Sequence, residues 1–214
     1  MTDVEILIIG GGPAGLLAAA CLAERHKVAL IERGTLGKTT KYWVTTERRL
    51  TQHGLMHCQL NRNTAVVVGT FLGGLVKAYG DLVVVGELLF LRELVDRCVR
   101  RSVILSERCS LVNLRWGRLR LQVQTTSEVY RTRLVVDATG VSSPIATTFR
   151  LHRLDGFFNV LGAHLRRIKL HTQDIVLAYV NSLGDPPPIL EVIPTGENSA
   201  YCWPCGPPCG RLRR

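Results

Sequence analysis

The chain has 214 residues, 46% of them hydrophobic and 21% charged, the make-up of an ordinary globular protein with room for one domain and part of a second. Its formal net charge of +10 is almost all arginine, spread along the sequence. The basic residues are not interleaved with aromatic ones as a stacking platform for single strands requires, so nucleic acid is not an expected partner.

Val4 to Ile9 is a short apolar run that opens directly into Gly10-Gly11-Gly12-Pro13-Ala14-Gly15. Leu16 to Cys21 is rich in Ala and Leu and reads as a helix. Buried strand, glycine turn and helix in this order are the context that gives G-x-G-x-x-G its meaning. Gly10 permits the tight turn, Gly12 lets a pyrophosphate approach the backbone, and Gly15 lets the helix lie close to the strand. Free N–H groups and the positive dipole end at the helix start then favour phosphate charge. A second strand, Lys27 to Ile31, ends in Glu32, 22 residues after Gly10. A carboxylate there accepts hydrogen bonds from the ribose hydroxyls of an adenosine and disfavours a 2′-phosphate, which points to FAD or NAD rather than NADP. Arg33 beside it is an adenosine neighbour or a solvated charge. The stretch lacks the basic lead-in of a secretory signal.

Arg33 to Thr46 reads as a polar loop with a Thr39-Thr40 pair, and Tyr42 and Trp43 pack on a cofactor or beneath the loop. His53, His57 and Cys58 have helical i, i+4 spacing, but no carboxylate completes a ligand set, so no metal is expected. Ala65 to Gly69 and Leu82 to Gly86 are valine-rich and read as short strands. The apolar stretch from Val66 to Leu91 is broken by Lys77, Asp81 and Glu87 before it reaches the roughly 18 residues a membrane helix needs. Glu87 to Arg100 carries Leu88, Leu91, Val95 and Val99 on one face of an amphipathic helix, with Arg92 in its first half. Val103 to Leu105 is a strand. Leu114 to Val123 alternates as a half-exposed antiparallel strand does, and Val129 to Val136 pairs with it as a hairpin before Asp137-Ala138-Thr139-Gly140.

After Gly140 the character changes. Phe157 to Leu170 and Asp174 to Val180 are strand-like, and Gly184-Asp185-Pro186-Pro187-Pro188 is a loop. Ile189 to Ile193 and Ser199 to Trp203 form a hairpin around Thr195-Gly196-Glu197-Asn198. The tail from Pro204 to Arg214 has no periodicity and reads as a frameshifted or truncated end. Cys202, Cys205 and Cys209 lack a fourth ligand nearby. Seven cysteines, an odd number, point to reduced thiols in a cytoplasmic protein.

The glycine turn, Glu32-Arg33, the Arg92 helix, the hairpin and Asp137-Ala138-Thr139-Gly140 together resemble the FAD-dependent oxidoreductases of the para-hydroxybenzoate hydroxylase-like superfamily. That group includes aromatic monooxygenases, flavin halogenases, geranylgeranyl reductases and lycopene cyclases, and the hairpin ending Tyr201-Cys202-Trp203 leans toward the last two. The resemblance covers about Asp3 to Trp203. It implies FAD, with the ribose on Glu32, the pyrophosphate over Gly12 to Gly15, Arg92 facing the phosphates, and Thr139-Gly140 passing beneath the cofactor. It also implies a small-molecule substrate, aromatic or isoprenoid. Leu161, Leu165 and Ile168 beside Arg166, Arg167 and Lys169 offer weak contact with a membrane surface.

The expected fold is α/β: a Rossmann-like FAD-binding domain with a β-hairpin insertion over 1–155, an incomplete, mainly β substrate domain over 156–203, and an irregular tail over 204–214. The later Gly-Asp motif of the superfamily is not matched by Gly80-Asp81 or Gly184-Asp185, so an N-terminal portion of an enzyme is expected. No catalytic residue is assigned, because in such enzymes the flavin carries the redox chemistry. The alternative is a non-catalytic adenine-nucleotide-binding module or a decayed remnant.

Overall fold

The computed structural model describes residues 1–38, 41–70, 73–151, 159–181 and 188–206. The Thr39-Thr40 pair, Phe157, the Gly184 to Pro187 part of the proline loop and the tail beyond 206 lie outside the described residues. In chain order β1 (Thr2–Asp3) and β2 (Ile6–Ile9) lead into α1 (Pro13–Leu22) and β3 (Val28–Ile31). β4 (Tyr42–Thr46) and α2 (Glu47–Gln52) precede two long strands, β5 (Gln59–Thr70) and β6 (Leu75–Gly86). α3 (Glu87–Arg100) is followed by β7 (Ile104–Ser106), β8 (Leu111–Trp116), β9 (Leu121–Thr125), β10 (Val129–Thr132) and β11 (Leu134–Asp137). Then come α4 (Pro144–Thr148), β12 (Asn159–Val160), β13 (Ala163–Arg166), β14 (Ile175–Val180), β15 (Ile189–Gly196) and β16 (Ser199–Gly206).

The chain divides into two compact units, and both are discontinuous: Met1–Thr39 with Leu88–Leu154, and Thr40–Glu87 with Asp155–Arg214. The single boundary expected near residue 155 is therefore replaced. The segment 40–87 belongs with the second unit because β5 takes β14, not a strand of the first unit, as its parallel neighbour.

In the first unit β11, β2, β3 and β7 form a wholly parallel sheet in that order. β2 (ILII) and β3 (VALI) are buried at every position, which is why they read as unbroken apolar runs rather than as alternation. Beside it β1, β10, β9 and β8 form a second sheet, with β1 parallel to β10 and the other pairs antiparallel. Val4, Leu7, Ile9, Ala29 and Ile31 share one core cluster with Cys109, Val123, Tyr130 and Ile145. Tyr130 keeps its hydroxyl 2.9 Å from Ser106 Oγ, and burial pushes it up to about 12. α1 meets α3 through Cys98 Sγ, 3.4 Å from Leu16 O, and through Arg101, which donates to Ala20 O at 2.6 Å. Burial pushes the Cys98 thiol up to about 11, so it is a packing group rather than a nucleophile.

Three sequence readings are corrected here. Leu114 to Val123 is two strands, because Gly117 turns the chain and its N–H donates to Arg120 O at 2.9 Å. Val129 to Val136 divides between β10 and β11, which serve different sheets, so the expected hairpin insertion is a three-strand meander joined by β1. The buried stripe of α3 is Phe90, Leu91, Leu94 and Cys98, whereas Leu88 and Val99 are exposed. Two apolar stripes at helical spacing were available, and the packing partner selects between them.

In the second unit eight strands form one sheet in the order β12, β16, β15, β14, β5, β6, β4, with β13 also on β16. β5 and β6 are twelve residues each, far longer than the runs expected, and bulges near Gln59/Asn61 and Asn63/Ala65 absorb their twist. The expected polar loop ends in strand β4. The Tyr42 ring on β4 lies 4.9 Å from that of Tyr201 on β16 and 5.1 Å from that of His164 on β13. Opposite ends of the strand order thus meet, and the sheet curls on itself. Tyr42 therefore packs within this sheet. The hairpin expected to end at Trp203 runs on to Gly206, pairing Ile189 with Cys205. His53, His57 and Cys58 do not share a helix, since α2 stops at Gln52 and Cys58 is buried in a separate 3-10 turn. Among the described residues no helix is long and apolar enough to cross a membrane.

Candidate nucleotide-binding site

The site is assembled where β2 ends. Gly10 has φ +111°, which side chains other than glycine's rarely adopt, and a Cβ there would lie 2.4 Å from Ala138 O. The glycine turn and the Asp137-Ala138-Thr139-Gly140 segment therefore touch. Ala138 N–H also donates to Ile9 O at 2.8 Å, which extends the β11–β2 pairing into the turn. On the helix side a Cβ on Gly15 would lie 1.9 Å from Gly10 O. Gly12 is different: nothing lies within 4 Å of where its Cβ would be.

Gly12 is also the N-cap of α1, and no side chain caps that end. Pro13 occupies the first helical turn, where its missing N–H costs nothing, and among the described residues no side chain caps the N–H groups that follow. Ala14 is exposed beside it. An uncapped helix start facing open space is suited to an anion.

Glu32 follows β3, and the structure gives its orientation. One carboxylate oxygen accepts the Gly11 N–H at 2.7 Å and the other accepts the Gly34 N–H at 2.7 Å. A carboxylate offers about four acceptor positions, so each oxygen retains one for a ligand hydroxyl. The neighbouring loop is pinned by Glu107, which accepts the Leu36 N–H at 2.7 Å. Arg33 is exposed. Arg92, exposed on α3, runs its stem along this loop, with Cγ 3.6 Å from a Cβ built on Gly37. It is thus placed beside the loop that follows Glu32.

Asp137 organises the other side. It accepts the Thr139 N–H at 3.1 Å, the Thr139 hydroxyl at 2.6 Å and the Ser143 hydroxyl. Burial pushes its carboxyl up, but these hydrogen bonds outweigh that and hold it below the ordinary range. Ser143 in turn caps α4 by accepting the Ala146 N–H at 2.8 Å. Gly140, at φ +76°, has open space around its Cβ position, as Gly12 does. The roles of Gly11, Gly34, Asp137 and Ser143 were not anticipated. The spacing Asp-x-Thr-x-x-x-Ser is the signal that marks the last two, since each hydroxyl lies within reach of one carboxylate.

Of the residues singled out beforehand, the structure brings Gly10, Gly15 and the Asp137 to Gly140 segment into contact, and ties Glu32 to the same turn through Gly11. In the second unit Leu161 is 76% exposed and Leu165 39%, and Arg166, Arg167 and Lys169 are exposed as well. Replacing Glu32 by Ala is expected to weaken ADP binding by about 1–2 kcal/mol, the scale of a hydrogen bond to a charged acceptor. Isothermal titration checks it, and unchanged affinity would leave Glu32 as a brace for Gly11 and Gly34 only.

Residues 8–58 match the profile of the NAD(P)-binding Rossmann-like domain. No curated protein sequence matches the chain. Among solved structures, a geranylgeranyl bacteriochlorophyll reductase-like protein from Thermoplasma acidophilum superposes with a TM-score of 0.78 at 15% identity, over 96% of this chain and 57% of that one. PqsL of Pseudomonas aeruginosa, described as a probable FAD-dependent monooxygenase, gives 0.79 at 16% identity over 96% and 61%. A mutant of the halogenase PltM, solved in complex with FAD, gives 0.74 at 11% identity over 94% and 51%. The chain spans between half and two thirds of the length of these three proteins. It has a Rossmann-like α/β fold, shared with this probable FAD-dependent monooxygenase, this geranylgeranyl reductase-like protein and this halogenase.

Proposed function

We propose that the chain is the FAD-binding portion of an oxidoreductase that acts on a small organic molecule. The observation that carries this reading is the open space at Gly12, at an uncapped helix start, beside a Glu32 carboxylate with acceptor positions to spare. A pyrophosphate fits the first and an adenosine ribose the second. Gly12, Pro13, Ala14 and Gly15 would hold the phosphates, Glu32 and Arg33 the adenosine end, Arg92 a phosphate oxygen, and Thr139 and Gly140 the underside of the chain leading to the ring. Bound there, a flavin would supply the redox chemistry, and these side chains bind and orient it. Asp137 keeps the Thr139 backbone in place by accepting its N–H.

An aromatic or isoprenoid substrate belongs to the same reading. A PqsL structure is a complex with 2-aminobenzoylacetate, and another similar structure is a geranylgeranyl reductase-like protein. For a lipid-soluble substrate, Leu161 and Leu165 with Arg166, Arg167 and Lys169 supply weak surface contact. Purified chain mixed with FAD is expected to keep flavin absorbance through gel filtration and to lose it to excess ADP. Colourless protein that still binds ADP favours a non-catalytic adenine-nucleotide module, and protein that binds neither refutes both readings.

A further inference from the structure

The turn between β8 and β9 exposes apolar side chains that nothing in the first unit covers. Leu119, at its apex, is 94% exposed and Trp116, at its base, is 78% exposed. The pairing register places Trp116 opposite Leu121, two residues beyond Leu114 opposite Val123. Leu121 and Val123 are buried, so Trp116 stands on the core side of the sheet but past the edge of the core. Exposed apolar side chains at one tip of a sheet mark a candidate interaction surface.

The apex is stiff. Gly117 N–H donates to Arg120 O at 2.9 Å, and a Cβ on Gly117 would lie 2.6 Å from the same oxygen. The two apolar groups therefore flank a tight, hydrogen-bonded turn.

The charge within this stretch of the sequence has one sign. Between Glu107 and Glu128 the sequence has no carboxylate and four arginines: Arg108, Arg115, Arg118 and Arg120. Arg120 reaches Asp3 at 3.3 Å, while Arg115 and Arg118 make no ion pair among the described residues. On the reverse face Asn113, Arg115, Gln122 and Gln124, with Val129, line a shallow cavity of about 100 Å³, so that side is polar.

We propose that this turn docks on an anionic lipid surface, with Leu119 and Trp116 entering the headgroup–acyl boundary and Arg118 meeting the phosphates. A branched aliphatic at the apex has no flat face for a nucleobase, whereas a convex tip with an indole at its base and cations around it matches a bilayer interface. Two apolar side chains bind weakly alone, so the contact needs the added attraction of anionic lipid. The inference stands independently of the flavin reading, and its variants leave the nucleotide site intact.

Flotation with phosphatidylcholine vesicles, with and without phosphatidylserine, tests it on the full chain. The protein is expected to float with the anionic vesicles and not with the neutral ones. The double variant Trp116→Ala, Leu119→Ser should lower partitioning roughly tenfold, with its ultraviolet circular dichroism unchanged. Arg118→Gln should lower it about fivefold, the share of one cation near such a surface. As the comparator, Arg166→Glu, Arg167→Glu should retain most of the binding. The proposal fails if the parent does not float, floats equally on neutral vesicles, or floats unchanged in the tip variant. It fails too if the comparator alone abolishes binding, or if sedimentation shows a dimer that the tip variant dissociates.

Discussion

Gly12→Val should abolish ADP binding while leaving the fold nearly as stable as before. The space around the Gly12 Cβ position is empty, and the backbone there, at φ −76° and ψ −176°, is extended and open to a β-branched residue. Valine is a poorer N-cap than glycine, which costs on the order of 1 kcal/mol at most. Its two methyl groups would stand where phosphate oxygens must approach the helix start. Calorimetric titration with ADP and a thermal melt separate the two effects. An unchanged affinity would remove the phosphate argument for this turn.

Three residues later the same residue type has the opposite consequence. Gly15→Ala should collapse the first unit, although alanine is favoured over glycine inside a helix by about 1 kcal/mol. The added carbon would lie 1.9 Å from Gly10 O, a backbone atom fixed by the turn and by Ala138 behind it. Helix α1 must then move away from β2, unpacking Leu16, Ala19 and Ala20, all fully buried. A cost of about 3–5 kcal/mol is a large share of a domain's 5–15 kcal/mol. Loss of the cooperative melt is the expected readout. A melt equal to the parent's would show that helix and strand are not in the contact described.

The contrast shows what a sequence makes legible. Gly12 and Gly15 are distinguishable beforehand because strand, turn and helix are local, and each position in G-x-G-x-x-G has its own mechanical task. Glu32 was readable for the same reason, since the end of β3 lies one crossover away. Long-range partners were not readable. Ala65 to Gly69 is a strand in any reading, but nothing in its valines names β14 as the neighbour or assigns the segment 40–87 to the second unit. The meander is hidden in the sequence because Gly117 and Arg133 break alternation only where the chain changes direction or sheet. In α3 the residues Leu88 and Val99 satisfy helical spacing as well as Phe90 and Leu94 do, and only tertiary packing decides. At the site, Asp137 was seen as the end of a strand. That its carboxylate also gathers Thr139 and Ser143 depends on the bend at Gly140.

The parallel pairing of β5 with β14 also has a consequence in time. Thr64 and Asp174, which join at the start of that pairing, are 110 residues apart in the chain. At the usual pace of synthesis, about 5–20 residues per second, roughly 5–20 s pass between the emergence of one strand and of its neighbour. During that interval the Ala65-Val66-Val67-Val68-Gly69 edge has β6 on one side and no cover on the other. It is an apolar, uncharged edge of the kind that recruits other chains. The first unit also closes late, because β11 must join β2 from the far side of the interruption. Neither unit of a growing chain can finish before the other has begun, so the open edge of the second unit persists while the first is still incomplete.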